Sequence, residues 1–391
     1  MSNSKSDRSL LQQFVRTWVH GMVLALCGVV AGTTVRAENT TLADYVARPD
    51  PSFSWVKRSE GTYRDVAYVE LILTSQTWMD RVWKHQLFIV IPKRLDRDGR
   101  QALLIIDGSK WRDQYDRPPE SARSPKNANV YRKIANQLQA PIVVVRQVPY
   151  QPLFGGKTED AIIAYTFDQF LETGDSDWPL LLPMVKAVVR AMDAVQLYLD
   201  TEWSIPVDTF TVAGASKRGW ATWLTAAVDS RVTALAPMVI DVLNMSSQLD
   251  HQKSVWGGYS EQIRDYTERD LPNRLNTDAG QVLRTIVDPY HYLSSLSQPK
   301  LIIVSTNDRY WPLDALNLYW SDLVGPKYIL YLPNNLHKIK DYRRMIAGLN
   351  ALHQHAAHDR PLPALEWRFE ETRGRLLLSI TSDRRPDQVQ V

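Results

Sequence analysis

The chain has 391 residues, 44% hydrophobic and 23% charged, with 46 Lys and Arg against 43 Asp and Glu. That length and apolar content can bury one large α/β core or two smaller ones, and the near balance of charge leaves no basic footprint for nucleic acid. Cys27 is the single cysteine, and it lies in an N-terminal segment that reads as removable, so a processed chain has no disulfide, thiol nucleophile or cysteine metal ligand.

In residues 1–37, Lys5, Arg8 and Arg16 precede an apolar run over 18–32, and Val35-Arg36-Ala37 follows. A basic head, a short apolar middle and small residues at −3 and −1 make a secretory signal peptide cleaved after Ala37. The expectation is a periplasmic or secreted protein with no stable membrane insertion after cleavage. This segment holds four of the 46 Lys and Arg and one of the 43 Asp and Glu, so the remainder is formally neutral.

Residues 38–65, polar with Pro49, Pro51 and Gly61, read as a strap over the fold. The runs 66–74 and 83–92 suggest an antiparallel pair at one sheet edge. ALLII at 102–106 is a compact buried strand closed by Asp107-Gly108-Ser109, and 110–128 is a long polar loop. A helix over 131–138 and a buried strand at 142–148 come next, then helices over 158–173 and 179–199. At 207–240 the chain reads strand, sharp turn, helix, strand, with Gly214-Ala215-Ser216-Lys217-Arg218-Gly219 as the turn. Residues 241–298 form a long, partly helical insertion. Strands at 300–305 and 327–332 flank a helix over 313–323, and a last helix covers 338–357. The tail, 361–391, carries a hairpin pattern over 364–382.

Eight strands alternating with helices after an antiparallel start imply a mostly parallel sheet covered on both faces. With the turn serine after the fifth strand, the order is that of an α/β-hydrolase, expected over 38–360 with 241–298 as a cap.

A serine lifted off the sheet at a strand-to-helix corner, with small residues around it, is the arrangement of a nucleophile elbow. Ser216 is therefore the candidate nucleophile. Asp308 follows the strand at 300–305 and His337 the strand at 327–332, which is the order an acid and a general base take in this fold. Asp314 and Asp241 are the competing acids. His251 and His291 lie in the insertion, where they are within range of a pocket, and His353, His355 and His358 read as a solvated helix face rather than a metal site. The backbone N–H of Lys217 and one from Gly108 or Ser109 are candidate oxyanion donors. The elbow departs from G-x-S-x-G, with Arg218 where the second glycine belongs and Gly219 one place later. Arg218 either engages an acidic substrate group or pairs with Glu159 and Asp160. Trp256, Tyr259, Tyr310 and Trp311 are candidates for a pocket wall. No cofactor is called for, and the partner expected is a small-molecule or peptide substrate.

The blocks GASKRGWATWLTAAVDSRVTALAPMVIDVLNM, EDAIIAYTFDQFLETGD and STNDRYWPLDALNLYW resemble the PhoPQ-activated pathogenicity-related proteins, exported bacterial α/β-hydrolase-like proteins, over about residues 40–360. The resemblance implies the same triad positions and a further β-rich C-terminal region that looks reduced here. It also implies a peptidase role of the dipeptidyl-peptidase kind, attached to the family's eukaryotic relative, for which Glu159 and Asp160 would receive a free amine. The G-x-S-x-x-G pattern followed by a cation also looks like esterases that cleave glucuronoyl esters. Peptidase and esterase both stand, as does a silent binding protein on a hydrolase scaffold.

Overall fold

The structure, a computed structural model, describes residues 41–119 and 124–387. The expected signal peptide and its cleavage point lie outside the described residues. Among the described residues no helix is long and apolar enough to cross a membrane.

Nine strands form the main sheet: β1 (Ser54–Tyr63), β2 (Val66–Trp78), β3 (Arg81–Pro92), β4 (Gln101–Ile106), β5 (Ile142–Val145), β6 (Thr209–Ala215), β7 (Val232–Met238), β8 (Lys300–Ser305) and β9 (Lys327–Leu332), in the spatial order β1-β2-β3-β5-β4-β6-β7-β8-β9. From β5 to β9 all neighbours are parallel, while β1, β2 and β3 join antiparallel at one edge. This is the α/β-hydrolase arrangement with one strand added. The added strand is β1, from the segment expected to be a strap. Its sequence, SWVKRSEGTY, is polar because it is an edge strand whose side chains are exposed or only half-buried, and charge on an edge blunts further pairing. That polarity hid the strand from a search for apolar runs.

The parallel strands are apolar on both faces because helices cover both. Leu104, Val143, Val145 and Val212 turn to one layer, and their neighbours Leu103, Ile142, Val144 and Ala213 turn to the other, as period-2 alternation requires. The first layer holds α3 (Asp160–Thr173), α4 (Leu181–Trp203) and α5 (Lys217–Val228), with the short α1 (Leu42–Ala47) against α4. The second holds α2 (Ala128–Leu138) and the last long helix, Tyr342–His358.

The insertion folds as Met245–Trp256, Arg264–Thr267, Leu271–Arg274 and Asp278–Val287, ending in a 3-10 turn at Pro289–Ser295. The helix expected over 313–323 is absent apart from a 3-10 turn at Ala315–Leu318. A side chain of the following strand takes the place of its ladder: Lys327 Nζ donates to the carbonyls of Trp320 at 2.6 Å and Leu323 at 3.0 Å. Tyr319 is anchored by its hydroxyl on Asp241 at 2.6 Å.

The tail forms the expected hairpin, β10 (Leu365–Thr372) and β11 (Arg375–Ser382). Leu365, Trp367 and Phe369 share one face with Leu376, Leu378 and Ile380, and all six are exposed.

Candidate active site

Strand β6 runs directly into α5 through Ser216, whose backbone sits at φ 58° and ψ −131°. That region is strained for any residue with a Cβ and costs about 1–3 kcal/mol. The turn closes tightly: the Ser216 N–H donates to the Met238 carbonyl at 2.8 Å. A Cβ on Gly214 would overlap the Arg218 carbonyl, and one on Gly219 would lie 2.6 Å from Ile240 Cγ2. The glycine two places before the serine and the one three places after it both make room for the elbow. The departure from the usual spacing is thus a shift of the second close approach by one residue.

Asp308, in the loop after β8, meets His337, in the loop after β9. His337 Nδ1 lies 2.8 Å from Asp308 Oδ2 and 3.1 Å from Oδ1. The carboxylate is nearly buried, with 5% of its side chain exposed, and it also accepts the Tyr310 N–H at 2.9 Å. The Tyr310 ring stacks on the imidazole at 4.1 Å between centroids. Asp308 and Tyr310 therefore fix the ring orientation together, with Nδ1 toward the acid and Nε2 free for other work. Tyr310 and Ser216 line the same cavity, so the elbow, the stacked ring and the His337–Asp308 pair converge on one end of the sheet.

Of the competing acids, Asp314 pairs with His251 at 2.8 Å on the surface. Asp241 is buried and bonded to Tyr319. Burial pushes its carboxyl up to about 6, the Tyr319 hydroxyl pulls the other way, and the nearby Asp308 charge adds to the rise. Between about pH 4 and 6 the folded state holds this proton and the unfolded chain does not. Stability should therefore fall as pH rises through that window, by about 3 kcal/mol. Asp241→Asn keeps an acceptor for Tyr319 without ionising. Urea unfolding should find it close to wild type at pH 4 and about 2–3 kcal/mol more stable at pH 8.

At the start of α5 the Lys217 N–H has no intrahelical acceptor, and it faces the same end of the sheet as the loop after β4 that carries Ser109. That loop is clamped by Arg218. Its Nε donates to the Val148 carbonyl at 2.6 Å, and its guanidinium lies so close over Gly108 that a Cβ there would overlap it. Its two terminal nitrogens donate to Glu159 at 2.7 and 2.9 Å. Gln151 Nε2 bridges Glu159 at 2.6 Å and the Ser109 carbonyl at 3.2 Å. Burial alone would raise the Glu159 carboxyl, but Arg218 and Lys217 override it and hold it well below the usual carboxylate range. Arg218→Lys loses the two-pronged pair and loosens the Ser109 loop. It should lower kcat/KM on any substrate by roughly 10- to 100-fold, measured by steady-state kinetics with unfolding curves as control.

Of the two readings of Arg218, pairing with Glu159 is the one that occurs; both residues are absent from the cavity wall, against the expectation of a substrate-pocket role for them. Tyr259 is also elsewhere, under Lys253 Nζ at 4.7 Å. Trp256 lies on an open groove beside Asp308 and Trp311. Tyr310 and Trp311 do line the cavity. The sequence reading missed Trp220, Ile240 and Met245, apolar side chains of the elbow helix and cap that face it. Asp160, weighed as a receiver of a substrate amine, does stand in the polar wall, but beside the Lys217 side chain, which the sequence reading missed. Nothing in a linear sequence separates these from ordinary core residues.

No cluster of metal-ligating side chains occurs among the described residues. His353 is buried rather than solvated, facing Thr211 at 3.2 Å, and burial lowers it to about 4. His358 pairs with Asp96. His251 and His291 do not reach the cavity wall.

The family model described as PhoPQ-activated pathogenicity-related protein matches residues 42–391. Autocrine proliferation repressor protein A of Dictyostelium discoideum is 31% identical over 361 residues, covering 88% of this chain and 70% of that protein. Among solved structures, an acetyl xylan esterase from Paenibacillus sp. R4 superposes with a TM-score of 0.53 at 13% identity, over 78% of this chain and 90% of that one. Acetyl xylan esterase 1 from Thermoanaerobacterium sp. JW/SL YS485 superposes at 0.46 and 13% identity, over 79% and 95%.

Proposed function

We propose that this chain, which belongs to the PhoPQ-activated pathogenicity-related protein family, is a serine hydrolase acting on ester or peptide bonds. The observation that carries the reading is the 2.8 Å contact between His337 and the buried Asp308 at the end of the sheet where Ser216 occupies a strained elbow.

In the proposed reaction, Ser216 Oγ attacks the substrate carbonyl while His337 Nε2 takes its proton. Asp308 holds the ring by Nδ1–H and stabilises the imidazolium. The Lys217 N–H and the loop at Ser109 receive the oxyanion. His337 then protonates the leaving group, and the acyl-Ser216 ester is hydrolysed by a water that His337 activates. A fluorophosphonate probe tests this: labelling of the wild type that disappears in Ser216→Ala supports it.

The amoebal relative is named for repressing proliferation, which favours a second reading in which the scaffold binds a partner without turnover. A folded protein that no fluorophosphonate labels would support that reading. The signal read in residues 1–37 supports action outside the cytoplasm. N-terminal sequencing of the protein recovered from periplasm or medium should begin at Glu38, and recovery of an intact Met1 would reject it.

A further inference from the structure

The cavity beside Ser216 has one polar edge and otherwise apolar walls. Trp220, Ile240, Met245, Leu249, Leu271 and Leu275 supply most of it, from the elbow helix, the end of β7 and the cap. The polar edge is Lys217 with Asp160, and both are already satisfied. Lys217 Nζ lies 3.0 Å from Glu159 and 3.3 Å from Asp160. Asp160 also accepts the hydroxyls of Tyr266 at 3.2 Å and Tyr310 at 3.4 Å. With Arg218 on Glu159, both of these carboxylates are committed to cations, and Asp265 nearby is a carboxyl that burial and the Asp160 charge push up.

This bears on the choice between bonds. A peptidase that removes N-terminal dipeptides must hold a free ammonium group on uncommitted carboxylate. Here such a group could reach only Asp160 in the cavity wall, where it would compete with Lys217, a cation with only 8% of its side chain exposed, and with the Tyr266 and Tyr310 hydroxyls, a costly exchange. An uncharged apolar group disturbs none of these pairs and gains from burial. The cavity measures about 70 Å³. A single water needs on the order of 10–15 Å³ of such volume, so the space suits roughly five to seven heavy atoms.

From this wall, and resting on the hydrolase reading above, the geometry points to short, uncharged, apolar acyl groups as the substrate class, carried on carboxylic esters. The Ser216 Oγ–acyl carbon bond forms as the ester C–O bond breaks, and the alcohol leaves with the proton held by His337. Water then cleaves the acyl-Ser216 bond and releases the short carboxylic acid with Ser216 restored. The acyl chain lies in the cavity, and the alcohol faces the open groove along Trp256 and Trp311.

The test is a series of p-nitrophenyl esters from acetate to decanoate, with dipeptidyl p-nitroanilides bearing a free amine alongside, run on wild type, Leu249→Ala and Leu249→Trp. Each buried methylene is worth about fourfold. Wild-type kcat/KM should therefore rise about 16-fold from acetate to butyrate, or about 250-fold where hexanoate still fits, and fall again by decanoate. Leu249→Ala should move the optimum to longer chains, and Leu249→Trp should cut the hexanoate-to-acetate ratio by about tenfold. A flat wild-type profile, or faster turnover of the dipeptidyl amides, overturns the proposal. The wild-type series decides even where a variant fails to fold. Fluorophosphonate labelling of the same wild type separates the two failures: labelled Ser216 with a flat profile rejects the acyl pocket alone, and an unlabelled folded protein rejects the hydrolase itself.

Discussion

Ser216→Ala should reduce kcat by about 10⁶ on any substrate the protein turns over, because acyl transfer loses its nucleophile. His337→Ala should fall nearly as far, since the two act as a unit and their effects do not add. Asp308→Asn should lose about 10⁴, through the wrong imidazole tautomer rather than through altered packing. The backbone supplies a second readout that a silent scaffold would share only in part. Ser216 stands at φ 58° and ψ −131°, where glycine alone is unstrained, so Ser216→Gly should stabilise the fold by about 1 kcal/mol while activity vanishes. Stopped-flow or steady-state assays with urea unfolding read both quantities. Retained turnover in Ser216→Ala would sink the assignment of the nucleophile.

Gly214→Ala is expected to give the largest stability loss at the site. Its Cβ would meet the Arg218 carbonyl and approach Thr222 Oγ1 at 2.9 Å. Those are backbone and tightly placed atoms in the first two turns of α5, so the elbow must open rather than a side chain step aside. About 3 kcal/mol or more should be lost, with fluorophosphonate reactivity lost in the fraction that still folds. Gly258→Ala, where a Cβ meets nothing within 4 Å, should stay within about 0.5 kcal/mol of wild type. Equal effects of the two changes would show that the close approach at Gly214 does not hold the elbow.

Several features were legible in the sequence because the physics behind them is local. Strands β2 to β9 announce themselves as apolar runs, since the interior parallel strands are covered on both faces and the half-buried edge strand β9 still packs on the core. The elbow is legible because a sharp corner with close backbone approach admits only small residues, which Gly214 and Gly219 display. Order along the chain then points to Asp308 and His337, and the 2.8 Å contact between them agrees with that reading. β1 escaped notice because an exposed edge strand carries polar side chains. The helix expected over 313–323 gives way where Lys327, at the start of β9 just past that segment, takes the carbonyls of Trp320 and Leu323 with its side chain.

What the sequence determined by itself, then, is the fold and the three positions at strand ends, because strand periodicity and steric room at a turn are written residue by residue. The tertiary structure alone decided which charges tie down a loop and which reach the cavity. Arg218 and Glu159 look like ligand-binding groups in a linear chain, yet they face each other across Gly108 and Val148 and tie down a loop. Lys217 and Asp160, adjacent to them in sequence, turn to the cavity instead. Helix phase, and the partner that each side chain meets first in three dimensions, set that division, and neither is encoded in the spacing of the residues.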